Sequence, residues 1–362
     1  MKNILHITPD FNYSCGRSKL VYLYLKYFSS KKDYQSHFIT NGGDSLERLN
    51  VISNLKFEIM NFSTGIKNLY HVRSFYKNIK EYIFDNKISL IHTHHRFPEL
   101  IANQVVDGVN AKTIFSTHGF VKGFKGISFK SDKIISVSNS VTDYLTGKYH
   151  INPEKVITLY NPAEKYQPTN DEEIMLLKKK HSIPLNKSVI LFMGRINNSK
   201  GYDVLIKAFK IVHLKLNDTI LLLSGNDESR KIHYKSSSID SHIKILKPNS
   251  ESYKLYSIAN ILVLPSRSDS FPFVMIESGL FKKPFIGGNT GGIAEFIEDG
   301  INGLLVDPEN PQVLAEKIIY LLNNQQIGTT MGEKLYEKVN RLCDYNNYFS
   351  EVEKIYNSLL KD

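Results

Sequence analysis

Short runs of aliphatic and β-branched residues, each followed by a helical pattern, recur along the whole 362-residue chain. In the first half they fall at Ile4–Thr8, Ser36–Thr40, Lys56–Met60, Leu90–Thr93, Thr113–Ser116, Ile134–Val137 and Val156–Leu159. In the second half they fall at Val189–Met193, Ile220–Leu223, Ile243–Leu246, Ile261–Leu264, Pro284–Ile286 and Leu304–Val306. Strand–helix alternation of this kind predicts α/β architecture with parallel sheets, and each half is long enough for a doubly wound sheet of its own. Asn161-Pro162, Pro168, the acidic run Asp171-Glu172-Glu173 and Pro184 mark an interval between the halves. The predicted domains are therefore 1–165 and 166–344, followed by a terminal helix over 345–362.

With 41% hydrophobic residues the chain can bury two cores. No apolar run approaches the ~20 residues of a membrane helix, and Met1–Thr8 enters a strand rather than a signal-peptide core. Cys15 and Cys343 are far apart and predict no disulfide framework, so a reducing cytoplasm is the expected setting. Residues 1–165 hold 22 Lys and Arg against 13 Asp and Glu, and so carry +9 of the net charge of +10. Such asymmetry suits anionic lipid at the inner face of a membrane, a phosphate-bearing acceptor, or simply a solvated basic face. Nucleic acid is not expected, because no helix-turn-helix, zinc ligand set or RNA-binding aromatic signature accompanies the charge.

The densest chemistry lies in Leu264-Pro265-Ser266-Arg267-Ser268-Asp269-Ser270-Phe271-Pro272-Phe273-Val274-Met275-Ile276-Glu277. It reads as a buried strand, a polar loop and a helix with Pro272 at its first position. The N–H groups of Phe273 and Val274 then point outward at the positive end of the helix dipole and favour a phosphate. Asp269 and Glu277 bracket that turn, where carboxylates suit sugar hydroxyls better than phosphate. The combination points to a nucleotide sugar.

In open α/β sheets ligands collect at the carboxyl ends of strands. That rule gives weight to His118-Gly119, Gly194-Arg195 and Asp269, and less to Gly16, a single glycine between the first strand and its helix. In Gly194-Arg195-Ile196-Asn197-Asn198-Ser199-Lys200-Gly201, two cations and a helix amino terminus can neutralise a diphosphate without a metal; the Walker spacing is absent. His92, His94 and His95 crowd one strand end. Alternation puts His92 and His94 on one face, yet only Glu99 is near to complete a ligand set, so they read as strand-end histidines near the cleft or as half-buried polar residues, and no metal is expected. Lys122, Lys125, Lys130 and Lys133, interleaved with Phe120, Phe124 and Phe129, read as a mobile loop that contacts acceptor or membrane, or as a solvated connection, with contact the favoured reading.

These residues resemble the retaining GT-B glycosyltransferases of family 4. The resemblance rests on Gly194-Arg195 with Lys200-Gly201, the spacing of Asp269 to Glu277 around Phe271, the loop Gly291-Gly292-Ile293-Ala294-Glu295, and Asp299-Gly300-Ile301-Asn302-Gly303-Leu304-Leu305-Val306. Val137-Ser138 and His118-Gly119 sit in the matching order. It implies two Rossmann-like domains facing a central cleft, with a glycan or glycolipid acceptor on the first and the nucleotide-sugar donor, uridine-linked, on the second. It also implies that the final helix crosses back onto the first domain. Arg195 and Lys200 would meet the donor phosphates, Glu277 the ribose, and Asp269 with His118 the transferred sugar. Gly16, Gly194, Phe271, Phe273, Val274, Gly291 and Gly292 would complete the donor site, with no cofactor and no metal; no Asp-x-Asp occurs in the chain. Cell-surface polysaccharide assembly in a bacterium is the family expectation. Departures are Asp269 for the usual Glu, Cys15 for a second glycine, Asn161-Pro162 for Asn-Gly, and Lys282 for the glycine that ends the Glu277 helix. Competing readings are a nucleotide-sugar epimerase on the same scaffold and a non-catalytic membrane adaptor of the same fold. A nicotinamide dehydrogenase lacks its G-x-G-x-x-G.

Overall fold

The computed structural model describes residues 1–62, 69–123, 126–229 and 241–361, apart from the side chains of residues 69–72. Two compact units divide the chain: unit 1 is Met1–Asn161 with Asn346–Asp362, and unit 2 is Pro162–Tyr345. Unit 1 holds an all-parallel sheet ordered β3 (Leu55–Ile59), β2 (Tyr34–Thr40), β1 (Lys2–Thr8), β4 (Leu90–Thr93), β5 (Lys112–Thr117), β6 (Lys133–Ser136) and β7 (Val156–Thr158). Strand order reverses between β1 and β4, where His6 lies opposite His92. The strands β1, β2 and β4 are buried on both faces, as parallel strands covered by helices must be. One core packs Leu5, Ile7, Ile39, Ile91 and Ile101 with Phe62 and Phe75, whose rings stack 4.2 Å apart.

Unit 2 repeats the design. Its parallel sheet runs β10 (Ile243–Leu246), β9 (Thr219–Ser224), β8 (Ser188–Met193), β11 (Ile261–Leu264), β12 (Phe285–Gly288) and β13 (Leu304–Val306), with the reversal between β8 and β11. The acidic run placed in the interval is instead the first turn of a helix, Asp171–Lys180. Asn170 and Glu173 close a reciprocal capping box there, and three carboxylates at the head with three lysines at the tail complement the helix dipole. The glycine-rich loop expected at 291–295 is also helical, over Gly291–Phe296.

The last helix, Tyr345–Leu359, packs into unit 1. Its Tyr348 hydroxyl meets that of Tyr24 at 2.8 Å, Glu353 accepts from Tyr27, and Asn357 accepts from Lys2 and Tyr34. Among the described residues no helix is long and apolar enough to cross a membrane.

Candidate active site

In unit 2, three neighbouring strands deliver three loops to one place. After β8 comes the loop with Arg195 and Lys200; after β11, the loop 265–272; after β12, the turn into Gly291. Backbone contacts stitch them together: Arg267 N–H donates to Ser199 O at 2.9 Å and Gly292 N–H to Asp269 O at 3.0 Å. Two glycines permit the approach. A Cβ at Gly201, whose φ is +73°, would lie 2.0 Å from Pro265 O, and one at Gly292 would lie 1.7 Å from Ser270 O.

The stitched loops bring the sequence-assigned charges into contact. Lys200 Nζ sits 2.5 Å from Asp269 Oδ2, which also accepts from Ser266 Oγ at 3.1 Å. Both side chains are largely withdrawn from water, at 19% and 6% exposed. Arg195 is different: half exposed, it faces Glu228 at 3.6 Å, and Glu228 accepts from Asn197 at 2.8 Å. Beneath them lies a clamp that sequence reasoning missed. Arg267 bonds both Asp203 oxygens at 2.7 and 2.9 Å, Glu309 at 2.5 Å, and the Asn198 carbonyl at 2.5 Å. Asp203 and then Glu309 hold its guanidinium above its ordinary range. Burial opposes the Asp203 carboxylate, but Arg267 outweighs it and keeps that group below the usual range.

Glu277 is buried, with Oε1 accepting from Tyr166 at 2.8 Å and Oε2 from Tyr256 at 2.5 Å. An ionised carboxylate has about four acceptor positions, and one phenol holds each oxygen in place. Burial, then the Glu277 charge, pushes the Tyr256 phenol well up, so it remains a donor. Neither tyrosine carries a sequence signal: each is one aromatic among many. Pro272 is not the first helical residue but the N-cap, in extended backbone, and the helix is Phe273–Leu280. Phe273 and Val274 therefore hold its first two positions, whose N–H groups have no carbonyl one turn earlier in the helix. Phe271 is a core residue, its buried ring edge-on to Phe296 at 5.1 Å. Lys282 does take the left-handed conformation a glycine would favour, with φ +52°, as the helix closes through Lys282 N–H to Gly279 O and Lys283 N–H to Ser278 O.

In unit 1, His118 follows β5 and is half-buried; its Nε2 lies 3.2 Å from His94 Nδ1. Burial, then the charge of Arg17, pushes its imidazole down to about 3. Gly16 is the exposed first residue of the helix Gly16–Ser29, with Cys15 as an N-cap that makes no side-chain bond. Arg17, next in that turn, pairs with Asp10. The histidines differ from expectation. His92 and His94 do share a face, with rings 4.3 Å apart, but they are fully buried rather than half-buried. His95 stands apart as an N-cap accepting from Phe97 N–H, and His6 of β1 takes its place in the cluster. Glu99 is no ligand: its Oε1 accepts from Asn103 and from Lys130 N–H, anchoring the loop before β6. In that basic run Phe129 is buried against Tyr149 and Lys133 is tied to Glu154 O, leaving Lys122 and Lys130 exposed. Phe124 and Lys125 lie outside the described residues.

Two family models match in succession. Residues 19–164 match "Glycosyltransferase Family 4" and residues 174–338 match "Glycosyl transferases group 1". An uncharacterized glycosyltransferase of Methanocaldococcus jannaschii is 28% identical over 353 residues, spanning 88% of this chain and 95% of its own. The capsular polysaccharide biosynthesis glycosyltransferase CapM of Staphylococcus aureus is 26% identical, spanning 92% and 93%. In fold, the chain is like HepE of Anabaena, solved in complex with UDP-glucose, with a TM-score of 0.83 over 99% of this chain and 100% of that one at 15% identity. With two Rossmann-like sheets and both family models in order, this chain belongs to the family 4 glycosyltransferases of GT-B fold.

Proposed function

We propose that the protein transfers a sugar, with retention of anomeric configuration and without a metal, from a uridine-diphosphate sugar to a glycan or glycolipid acceptor in cell-surface polysaccharide assembly. The observation that carries this is the largely withdrawn Lys200–Asp269 pair, followed on the next helix by a Glu277 that accepts from two tyrosines. A cation for phosphate and a carboxylate for the moving sugar then lie on adjoining loops of one sheet, and a carboxylate for ribose on the helix that follows the second loop. Arg195, Gly194 and the head of the Phe273–Leu280 helix, through Phe273 and Val274, join Lys200 on the diphosphate. The Phe271 backbone and the Gly291-Gly292 turn wall that site. From unit 1 we assign His118 to the sugar and Gly16 to the donor. HepE with UDP-glucose supports the uridine donor, and CapM supports the polysaccharide setting.

In the step itself the bond from the anomeric carbon to the β-phosphate oxygen breaks. The acceptor hydroxyl attacks from the same face, and its proton passes to the departing phosphate oxygen. Lys200, Arg195 and the helix N–H groups stabilise the charge that grows on that oxygen. No protein nucleophile takes part. A cytoplasmic location, with the basic first half touching the inner membrane face, fits acceptors carried on lipid.

The test is incubation with a panel of nucleotide sugars and extracted acceptors, with the anomeric configuration of the product read by NMR. An inverted product overturns retention, and loss of transfer in EDTA overturns metal independence. An isomerised donor formed without acceptor would reassign the chain to an epimerase.

A further inference from the structure

Unit 1 buries an unusual number of imidazoles beside its strand-order reversal. His6 of β1, His92 of β4 and His94 just after β4 lie together, with the ring of Tyr24 within 5.4 Å of each. Their nitrogens are close enough together to hold a metal, but the hydrogen bonds describe something else. His92 uses both ring nitrogens, on the Tyr356 hydroxyl at 2.6 Å and on Ser116 Oγ at 2.7 Å. The others form a line: His6 Nδ1 meets His94 Nε2 at 3.0 Å, and His94 Nδ1 meets His118 Nε2 at 3.2 Å. At the sealed end His6 Nε2 has no partner among the described residues.

Burial pushes His6 and His118 to about 3 and His94 well below the usual range, so each ring is neutral near pH 7 and carries one N–H. A line of neutral imidazoles has two proton arrangements, because the middle ring must donate from one nitrogen and accept at the other. One strands a buried N–H on His6 Nε2. The other leaves only a lone pair there, and orphaned buried N–H groups are the rarer of the two. The hydrogen bond at one ring nitrogen then dictates the proton at the next. We propose that His94, polarised by His6, is a positioning residue that holds His118 as the Nδ1–H tautomer, so that His118 presents a hydrogen-bond donor, Nδ1–H, rather than a basic nitrogen at that position. Its catalytic meaning rests on the assignment of His118 to the sugar, where an N–H suits a ring or hydroxyl oxygen of the donor.

The experiment is two-bond ¹⁵N–¹H correlation spectroscopy of the full chain labelled in histidine, near pH 7.5, with His118 identified by its loss in His118→Gln. A single neutral Nδ1–H ring is expected. His94→Asn, which keeps a donor toward His118, should preserve it. His94→Phe should move His118 to the other tautomer or to an average, and lower kcat/KM by about tenfold, the loss of one positioning hydrogen bond. A wild-type His118 that is Nε2–H or averaged overturns the proposal without any variant. So does a His94→Phe protein that loses activity while its His118 signals stay put, which marks a packing role only, and so does stoichiometric zinc bound through these nitrogens. Full transfer by His118→Ala would remove the sugar assignment and leave the tautomer result standing.

Discussion

The two sheets reverse strand order at equivalent places, yet the two reversals hold opposite chemistry. Between β8 and β11 the loops converge on charge: Lys200 on Asp269, with Arg267 between Asp203 and Glu309 below. Between β1 and β4 the polar groups are neutral imidazoles, phenols and a serine, sealed from water. Strand order sets where a ligand can gather, and the side chains set what kind. Charges held ready at the carboxyl ends suit an anionic diphosphate, whereas a neutral network that fixes hydrogen-bond direction suits sugar hydroxyls.

The sharpest way to break this contrast is at Asp269. Asp269→Asn keeps the shape but strips Lys200 of its counter-charge and the moving sugar of its carboxylate, so turnover should fall by about 10²–10³, the usual cost of losing one preorganised electrostatic contact. Near-normal turnover, with unchanged thermal stability, would sink the site. Lys200→Ala should fall in the same range, and Arg195→Ala should fall less, since Arg195 is half exposed and already faces Glu228.

Next in size is the response to acid. Folded-state values near 3 for His6 and His118, and near 4 for His37 and His95, lie below the ordinary 6.5 because burial disfavours the cation. Between pH 6.5 and those values the unfolded chain binds protons that the fold refuses. Stability is therefore intact above pH 6.5 and lost as pH falls, at up to about 1.4 kcal/mol per pH unit for each such group. Hydrogen exchange across pH 7.5 to 5 should show unit 1 loosening before unit 2; the reverse order would break the contrast.

Smaller effects are expected along the helix Phe273–Leu280. Tyr256→Phe removes a phenol bond that orients Glu277, and should weaken nucleotide binding by about fivefold, one hydrogen bond's worth, while Tyr166→Phe should do so by less because Tyr166 is less deeply placed. Calorimetric titration with UDP reads this directly. At the other end Lys282→Gly should stabilise unit 2 by about 1 kcal/mol, since the left-handed backbone there strains any Cβ. An unchanged or lower midpoint in urea would show that Lys282, whose ammonium lies 5.1 Å over the Tyr336 ring, contributes more than its backbone costs.

Local pattern carried much of this molecule. Strand positions follow from β-branched runs, and the convergence of Lys200 with Asp269 follows from strand ends being ligand sites. Most of what escaped depends on pairs far apart in the chain that no periodicity links. Arg267 with Asp203, Tyr166 with Glu277, and His6 with His94 are separated by 64, 111 and 88 positions. Pro272 shows the other kind of miss, a helix boundary displaced by one residue, because proline serves an N-cap as readily as the first turn.

The helix Tyr345–Leu359 bears on how the chain is made. It follows the whole of unit 2, yet Tyr356 and Tyr348 close the wall over His92 and Tyr24. A nascent chain thus has every strand of the unit 1 sheet long before it has the lid for that sheet's histidine-rich face. Unit 2 is complete first, and the half synthesised earliest is the last to be sealed.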